Sequence, residues 1–205
     1  MQSTDLDDRL AAECLLVLGT VPRDDGTTLF LIGPDEPAFW PQFTQSPEYS
    51  DGAPDPLDRW SRRVIDAIAA EVGGETFYPF GGPPFQPFYS WALASGAFFS
   101  SPIRFLSHGK RGLMASFRGA LAVRARCTPG DGVNPCLPGP APCVNACPVG
   151  AFDDGAYNVA ACKAHVASDA GQECFTKGCL ARRACPVGQG RRHPDQAQFH
   201  MEAFL

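Results

Sequence analysis

"PCVNACPVGAF" runs from Pro142 to Phe152, and its centre returns as "RACPVGQG" between Arg183 and Gly190. Each copy sets a cysteine, Cys147 or Cys185, immediately before a proline, and in the first copy Cys143 stands one helical turn upstream. Thiols spaced by a turn and closed by a residue that redirects the chain form a ligand pattern more than a core pattern, so their partners should lie nearby. Working outward, Cys136 precedes the first copy, Cys162 stands alone in "NVAACKAHV", and Cys174 and Cys179 lead into the second in "ECFTKGCLARRACPVG". Cys127 precedes them all. Eight of the nine cysteines therefore fall between Cys127 and Cys185.

The remaining composition limits what these thiols can be doing. A chain of 205 residues can bury one sizeable core with an appendage, or two small ones. It contains no 18-residue apolar run, and "MQSTDLDDRLAAE" is acidic where a secretory leader would be basic and then apolar. The expectation is a cytoplasmic protein with no membrane insertion. In that reducing compartment an odd, clustered set of cysteines points to metal rather than disulfides. Charge is segregated: 5 Lys/Arg face 15 Asp/Glu up to residue 100, against 12 and 7 afterwards. The basic half is the cysteine half. Arginines such as Arg126, Arg182, Arg183, Arg191 and Arg192 can offset thiolate charge or form an ordinary solvated face. Nucleic acid is not the expected partner, because the whole chain is acidic and carries no recognition motif.

The first half reads as a mixture of elements. "STDLDDRLAAE" predicts a short helix capped by Ser3 or Thr4. "CLLVLGTV" and "TTLFLIG" predict strands around the turn "PRDDG", with Cys14 a buried hydrophobe at the start of the first. "DPLDRWSRRVIDAIAAEVGG" predicts the clearest helix, capped by Asp55 and ended by Gly73 or Gly74, with Leu57, Trp60, Val64, Ile68 and Val72 on one stripe. "YPFGGPPFQPFYSW" supplies aromatic surface on a chain that its prolines keep irregular; it can cover the protein's own core or roof a flat ligand. After it come a short helix, the turn "GKRG" and a strand in "LMASFRGALAVRA". His108 reads as a turn residue. The Pro/Gly-rich "CTPGDGVNPCLPGPAP" separates a first lobe, 1–127, from a second, 128–205, which includes the carboxyl-terminal tail.

A closely spaced cysteine group ending in Cys-Pro, present twice, resembles the bacterial dicluster ferredoxins, in which the last cysteine of one group ligates the other group's cluster. Residues 135 to 190 resemble more closely the dicluster module of epoxyqueuosine reductase and related corrinoid-dependent iron-sulfur reductases. That resemblance implies two [4Fe-4S] clusters. The second would be held by Cys147, Cys162, Cys174 and Cys179, and the first by Cys136, Cys143, Cys185 and a fourth ligand. Here the chain departs from the pattern: Pro138 and Gly139 occupy the stretch where another cysteine is expected. Cys127 can supply the missing thiolate. Without it, the first cluster is left incomplete, as a [3Fe-4S] centre or with a non-cysteine ligand. Cys174 and Cys179 are also separated by four residues where the family has two. The resemblance implies an α+β fold, an α/β sandwich-like amino-terminal lobe followed by a small Cys-rich ferredoxin-like iron-sulfur lobe.

Outside the cysteines there is no P-loop, dinucleotide fingerprint, HExxH or nucleophile elbow. The expected function is therefore electron transfer, with a redox protein or a small-molecule electron acceptor as partner. The alternatives are a reductase whose first lobe holds a corrinoid or flavin fed by the clusters, and a protein-interaction module stapled by metal such as zinc. In the tail, "GRRHPDQAQFHMEAFL", Phe199, Met201 and Phe204 are expected to anchor against the amino-terminal lobe.

Overall fold

The computed structural model describes residues 3–136, 141–153 and 155–205, with side chains from Asp5 onward. The expected cap at Ser3 or Thr4, and Pro138 and Gly139, lie outside the described residues and side chains. The chain is mixed α and β with a small antiparallel sheet. Among the described residues no helix is long and apolar enough to cross a membrane.

In chain order, α1 (Ser3–Ala12) leads into β1 (Leu15–Pro22) and β2 (Thr28–Pro34), followed by α2 (Phe39–Thr44), α3 (Pro47–Ser50) and α4 (Pro56–Val72). Then come β3 (Glu75–Phe77), α5 (Phe88–Ala94), β4 (Phe98–Ser100), β5 (Leu106–His108) and β6 (Gly119–Val123). The cysteine-rich half carries α6 (Pro142–Asn145), α7 (Val159–Val166), α8 (Gln172–Lys177), α9 (Leu180–Arg183) and α10 (Pro194–Phe204). Two compact units result: Met1–Phe98 with Ala115–Gly132, and Phe99–Met114 with Val133–Leu205.

In unit one the strands form an antiparallel sheet in the order β1-β2-β6-β3. β2 lies between β1 and β6 and is buried at every position, which is why its sequence is a continuous apolar run rather than an alternation. The stripe of α4 buries Leu57, Trp60, Val64 and Ile68, each contributing about 1.5–3 kcal/mol on leaving water. Gly73 (φ 69°) ends the helix, and Gly74 N–H reaches back to Ala69 O at 2.9 Å. Asp55 occupies the cap position in a left-handed conformation (φ 52°) without a side-chain capping bond. Its carbonyl instead accepts from Asp58 and Arg59 N–H. Cys14, expected to be buried, is half-exposed, because it forms the left-handed turn (φ 52°) joining α1 to β1. In the aromatic segment Tyr78 and Phe88 pack inward, whereas Phe85 is 68% exposed and Tyr89 44%.

In unit two one apolar cluster gathers Ile103, Leu113, Cys143, Ala181 and Cys185, and Val166, Cys174 and Ala197 are buried as well. Phe99–Met114, read in the sequence with the first lobe, belongs here because Ile103 and Leu113 bury their side chains among those cysteines. β4 and β5 form a two-stranded sheet. Phe152 and Tyr157 stack with ring centres 5.1 Å apart, and Phe105 meets both edge-on. The tail packs within this unit, as α10 against α8, with Lys163 Nζ on Leu205 O and over the Phe204 ring.

Candidate metal centre

Both Ala-Cys-Pro-Val-Gly copies are built alike. A four-residue helix, α6 or α9, ends at the alanine (Ala146 or Ala184), the cysteine and proline leave the helix, and a glycine of positive φ closes the turn (Gly150, 57°; Gly188, 79°). α6 packs against α9, so the two copies are neighbours. Their cysteines nevertheless join different groups.

Cys147 opens onto a small cavity whose walls also carry Cys162, Cys174 and Cys179. The rest of the lining is largely apolar, including Val149, Phe152, Val166, Leu180 and Met201, with His165 at the wall. Each thiol is brought there by a definite local device. Asn158 caps α7 by accepting from Ala161 N–H at 3.0 Å, and α7 then presents Cys162 and Val166, one turn apart, on one face. Cys174 sits on α8 and Cys179 just beyond it. Between them Gly178 adopts φ 83° and ψ 173°, a conformation essentially confined to glycine. That reversal lets two cysteines separated by four residues line the same cavity.

Donor groups stand beside three of the sulfurs: Ala151 N–H donates to Cys147 Sγ at 3.3 Å, and the Leu180 N–H and the Tyr157 hydroxyl lie near Cys174 and Cys162. Burial pushes the Cys162 thiol up; the Tyr157 hydroxyl opposes that, and the nearby charges of Cys179 and Cys147 add to it. Burial likewise raises Cys174, opposed by the Leu180 N–H and Arg183 and reinforced by Cys179 and Cys162. Tyr157 is itself raised by burial and by its neighbour Cys162. Sequence reasoning missed Tyr157; its signal was a single aromatic residue five positions before the isolated cysteine.

The second copy behaves differently. Cys185 packs in the core with Cys143, whose thiol is raised first by burial and then by the charges of Cys136 and Cys185. Gly112 (φ 53°) lets the Phe99–Met114 segment lie against this sulfur: a Cβ there would stand 2.6 Å from Cys185 Sγ. Cys136, Cys143 and Cys185 thus lie near one another and four thiols line the cavity, one of which, Cys179, also packs against the cluster of Cys143 and Cys185. Cys127 belongs to unit one, in the irregular chain after β6, and residues 137–140 beside Cys136 lie outside the described residues. His193 caps α10, its Nδ1 accepting from Asp195 N–H at 3.2 Å, and His108 Nδ1 accepts from Lys110 N–H in its turn.

Among the described residues no three His, Cys, Asp or Glu side chains close on a point as the ligands of a single ion do. The thiols of a zinc site, each about 2.3 Å from the metal, stand roughly 4 Å from one another. Four soft donors spread around an apolar cavity suit thiophilic metal chemistry over a wider span. No family model, curated protein or solved structure matches the chain.

Proposed function

We propose that unit two is a dicluster iron-sulfur module of ferredoxin type and that the protein transfers electrons. The observation that carries this reading is the exchange of the two Cys-Pro cysteines. Cys147, from the first copy, lines the cavity of Cys162, Cys174 and Cys179, while Cys185, from the second, packs with Cys143. In two-cluster ferredoxins the last cysteine of one group likewise ligates the other group's cluster.

The residues present fit the group. Cys147, Cys162, Cys174 and Cys179 would hold one [4Fe-4S] cluster, and Cys136, Cys143 and Cys185 three corners of the other, with Cys127 or a non-cysteine group at the fourth. A cluster so held supplies reversible one-electron acceptance and donation. The chain sets the conditions for it. Ala151 N–H donates to Cys147 and the Leu180 N–H and Tyr157 hydroxyl stand near Cys174 and Cys162, which stabilises added negative charge, while Val149, Phe152, Val166 and Met201 line the cavity with apolar surface. Half-buried Arg182 and Arg183 on α9 offset the thiolates. On this reading the module would be akin to that of the corrinoid-dependent reductases and would work in a reducing, cytoplasmic setting. The partner would be a redox protein or a small electron acceptor.

Anaerobically purified protein is the material for the test. Iron and acid-labile sulfide near eight each per chain, with a reduced-cluster paramagnetic resonance signal after dithionite, is the expected result. Zinc without sulfide would overturn the proposal.

A further inference from the structure

Unit two also carries a larger cleft, of about 420 Å³, within the range of small-molecule sites. Lys177, Arg182, Arg183 and Arg192 line it together with His200, and no described lining residue is acidic. One carboxylate lies close by, Glu173, 2.8 Å from Arg183. Two of the arginines are held in place by successive carbonyls: Arg182 Nε donates to Leu113 O at 2.7 Å and Arg192 Nη2 to Met114 O at 2.9 Å. Each carbonyl holds its guanidinium at the cleft wall in a fixed orientation. Such planar donors recognise phosphate through paired N–H bonds. Met114, Met201, Pro194 and Ala197 give the same cleft an apolar part, and thioethers pack well against flat rings.

Cys179 and Met201 line both this cleft and the four-cysteine cavity, so the two spaces share a wall. We propose that the cleft is a binding site for a phosphate-bearing aromatic small molecule of mononucleotide size, seated against Cys179. The phosphate lies among Arg182, Arg192 and Lys177, and the ring lies on the methionines. The location beside a redox centre rests on the cluster reading of unit two; the anion recognition does not.

Flavin mononucleotide is the probe, titrated into the anaerobically purified full-length protein and followed by quenching of flavin fluorescence, with iron and sulfide measured on the same sample. Saturable binding is expected, at least tenfold tighter than riboflavin, competed by inorganic pyrophosphate, and weakened tenfold or more in an Arg182→Gln/Arg192→Gln variant that retains the parent's iron content and circular dichroism. Equal binding of riboflavin and flavin mononucleotide, or no binding to protein loaded with iron and sulfide, would overturn the proposal while leaving the electron-transfer reading standing. Phosphate-dependent binding by protein containing zinc and no sulfide would uphold the cleft and overturn the redox reading instead. If the double variant loses its metal, Lys177→Gln on the exposed rim replaces it, with a several-fold weakening expected and unchanged affinity overturning the assignment.

Discussion

Cys147 and Cys185 share the local sequence Ala-Cys-Pro-Val-Gly, yet one faces a cavity with Cys162, Cys174 and Cys179 and the other packs beside Cys143. Substitutions should therefore group by space and not by sequence. Cys147→Ala is expected to remove about four irons per chain, and adding Cys162→Ala should remove no more. Adding Cys143→Ala to Cys147→Ala should remove most of the remainder. Iron and sulfide analysis with paramagnetic resonance checks this, and additive loss in the Cys147/Cys162 pair would disprove the grouping. Tyr157 contributes differently, as a half-buried hydroxyl beside Cys162. A donor to a thiolate favours the more negative, reduced state, so Tyr157→Phe should lower the midpoint potential with iron content unchanged. A hydrogen bond of roughly 1 kcal/mol corresponds to on the order of 40 mV for one electron. Redox titration reads the shift, and a rise in potential would contradict the assignment.

α8 and α9 show how a short element sets ligand spacing. Gly178 lies between them in a backbone region that other residues enter at a cost of about 1–3 kcal/mol. Gly178→Ala should therefore destabilise unit two by about that amount and lower the metal content associated with Cys174 and Cys179, measured by thermal unfolding and iron analysis. A fully loaded, equally stable variant would show that the reversal is dispensable. In unit one, Glu48 of α3 is buried and accepts a paired contact from Arg63 of α4. That hydrogen-bonded guanidinium holds the carboxyl below its ordinary 4.5, against the opposing effect of burial. Because the folded value is depressed, the stabilisation is full above the unfolded value and lost as pH falls through the folded one. Urea unfolding of unit one should show this decline below about pH 4.5, and Glu48→Gln should flatten it.

The two units differ in what holds them. Unit one has a four-stranded sheet and a core that includes Leu29, Leu31, Ile32, Phe39, Phe43, Trp60 and Ile65. The buried apolar residues of unit two include Ile103, Leu113, Val166 and three cysteines, Cys143, Cys174 and Cys185, alongside Pro/Gly-rich chain. On the proposed reading, metal binding would be part of the folding free energy of unit two alone. Oxidative removal of metal should abolish amide-exchange protection in α7, α8 and α9 while β2 and β6 stay protected, as read by hydrogen-exchange mass spectrometry. Uniform loss across both units, or unchanged protection in unit two, would refute this.

By itself the sequence determined that eight cysteines cluster in the second half, that their Cys-Pro motif is duplicated, and that α4 and β2 are core elements. Those features are written in local spacing, burial periodicity and composition, and local physics reads them. The conformation of Asp55 and the exposure of Cys14 were not legible, because each depends on how one element hands the chain to the next. The packing of Phe99–Met114 and α10 within unit two, the meeting of Cys174 with Cys179 across Gly178, and the placement of Tyr157 beside Cys162 were settled only by tertiary structure. So was the basic cleft. Its arginines come from α9 and from the chain before α10, and they share a cavity because carbonyls of Leu113 and Met114, some 70 to 80 residues earlier, hold two of them in place. Contacts across such distances carry no periodic signature in a single sequence.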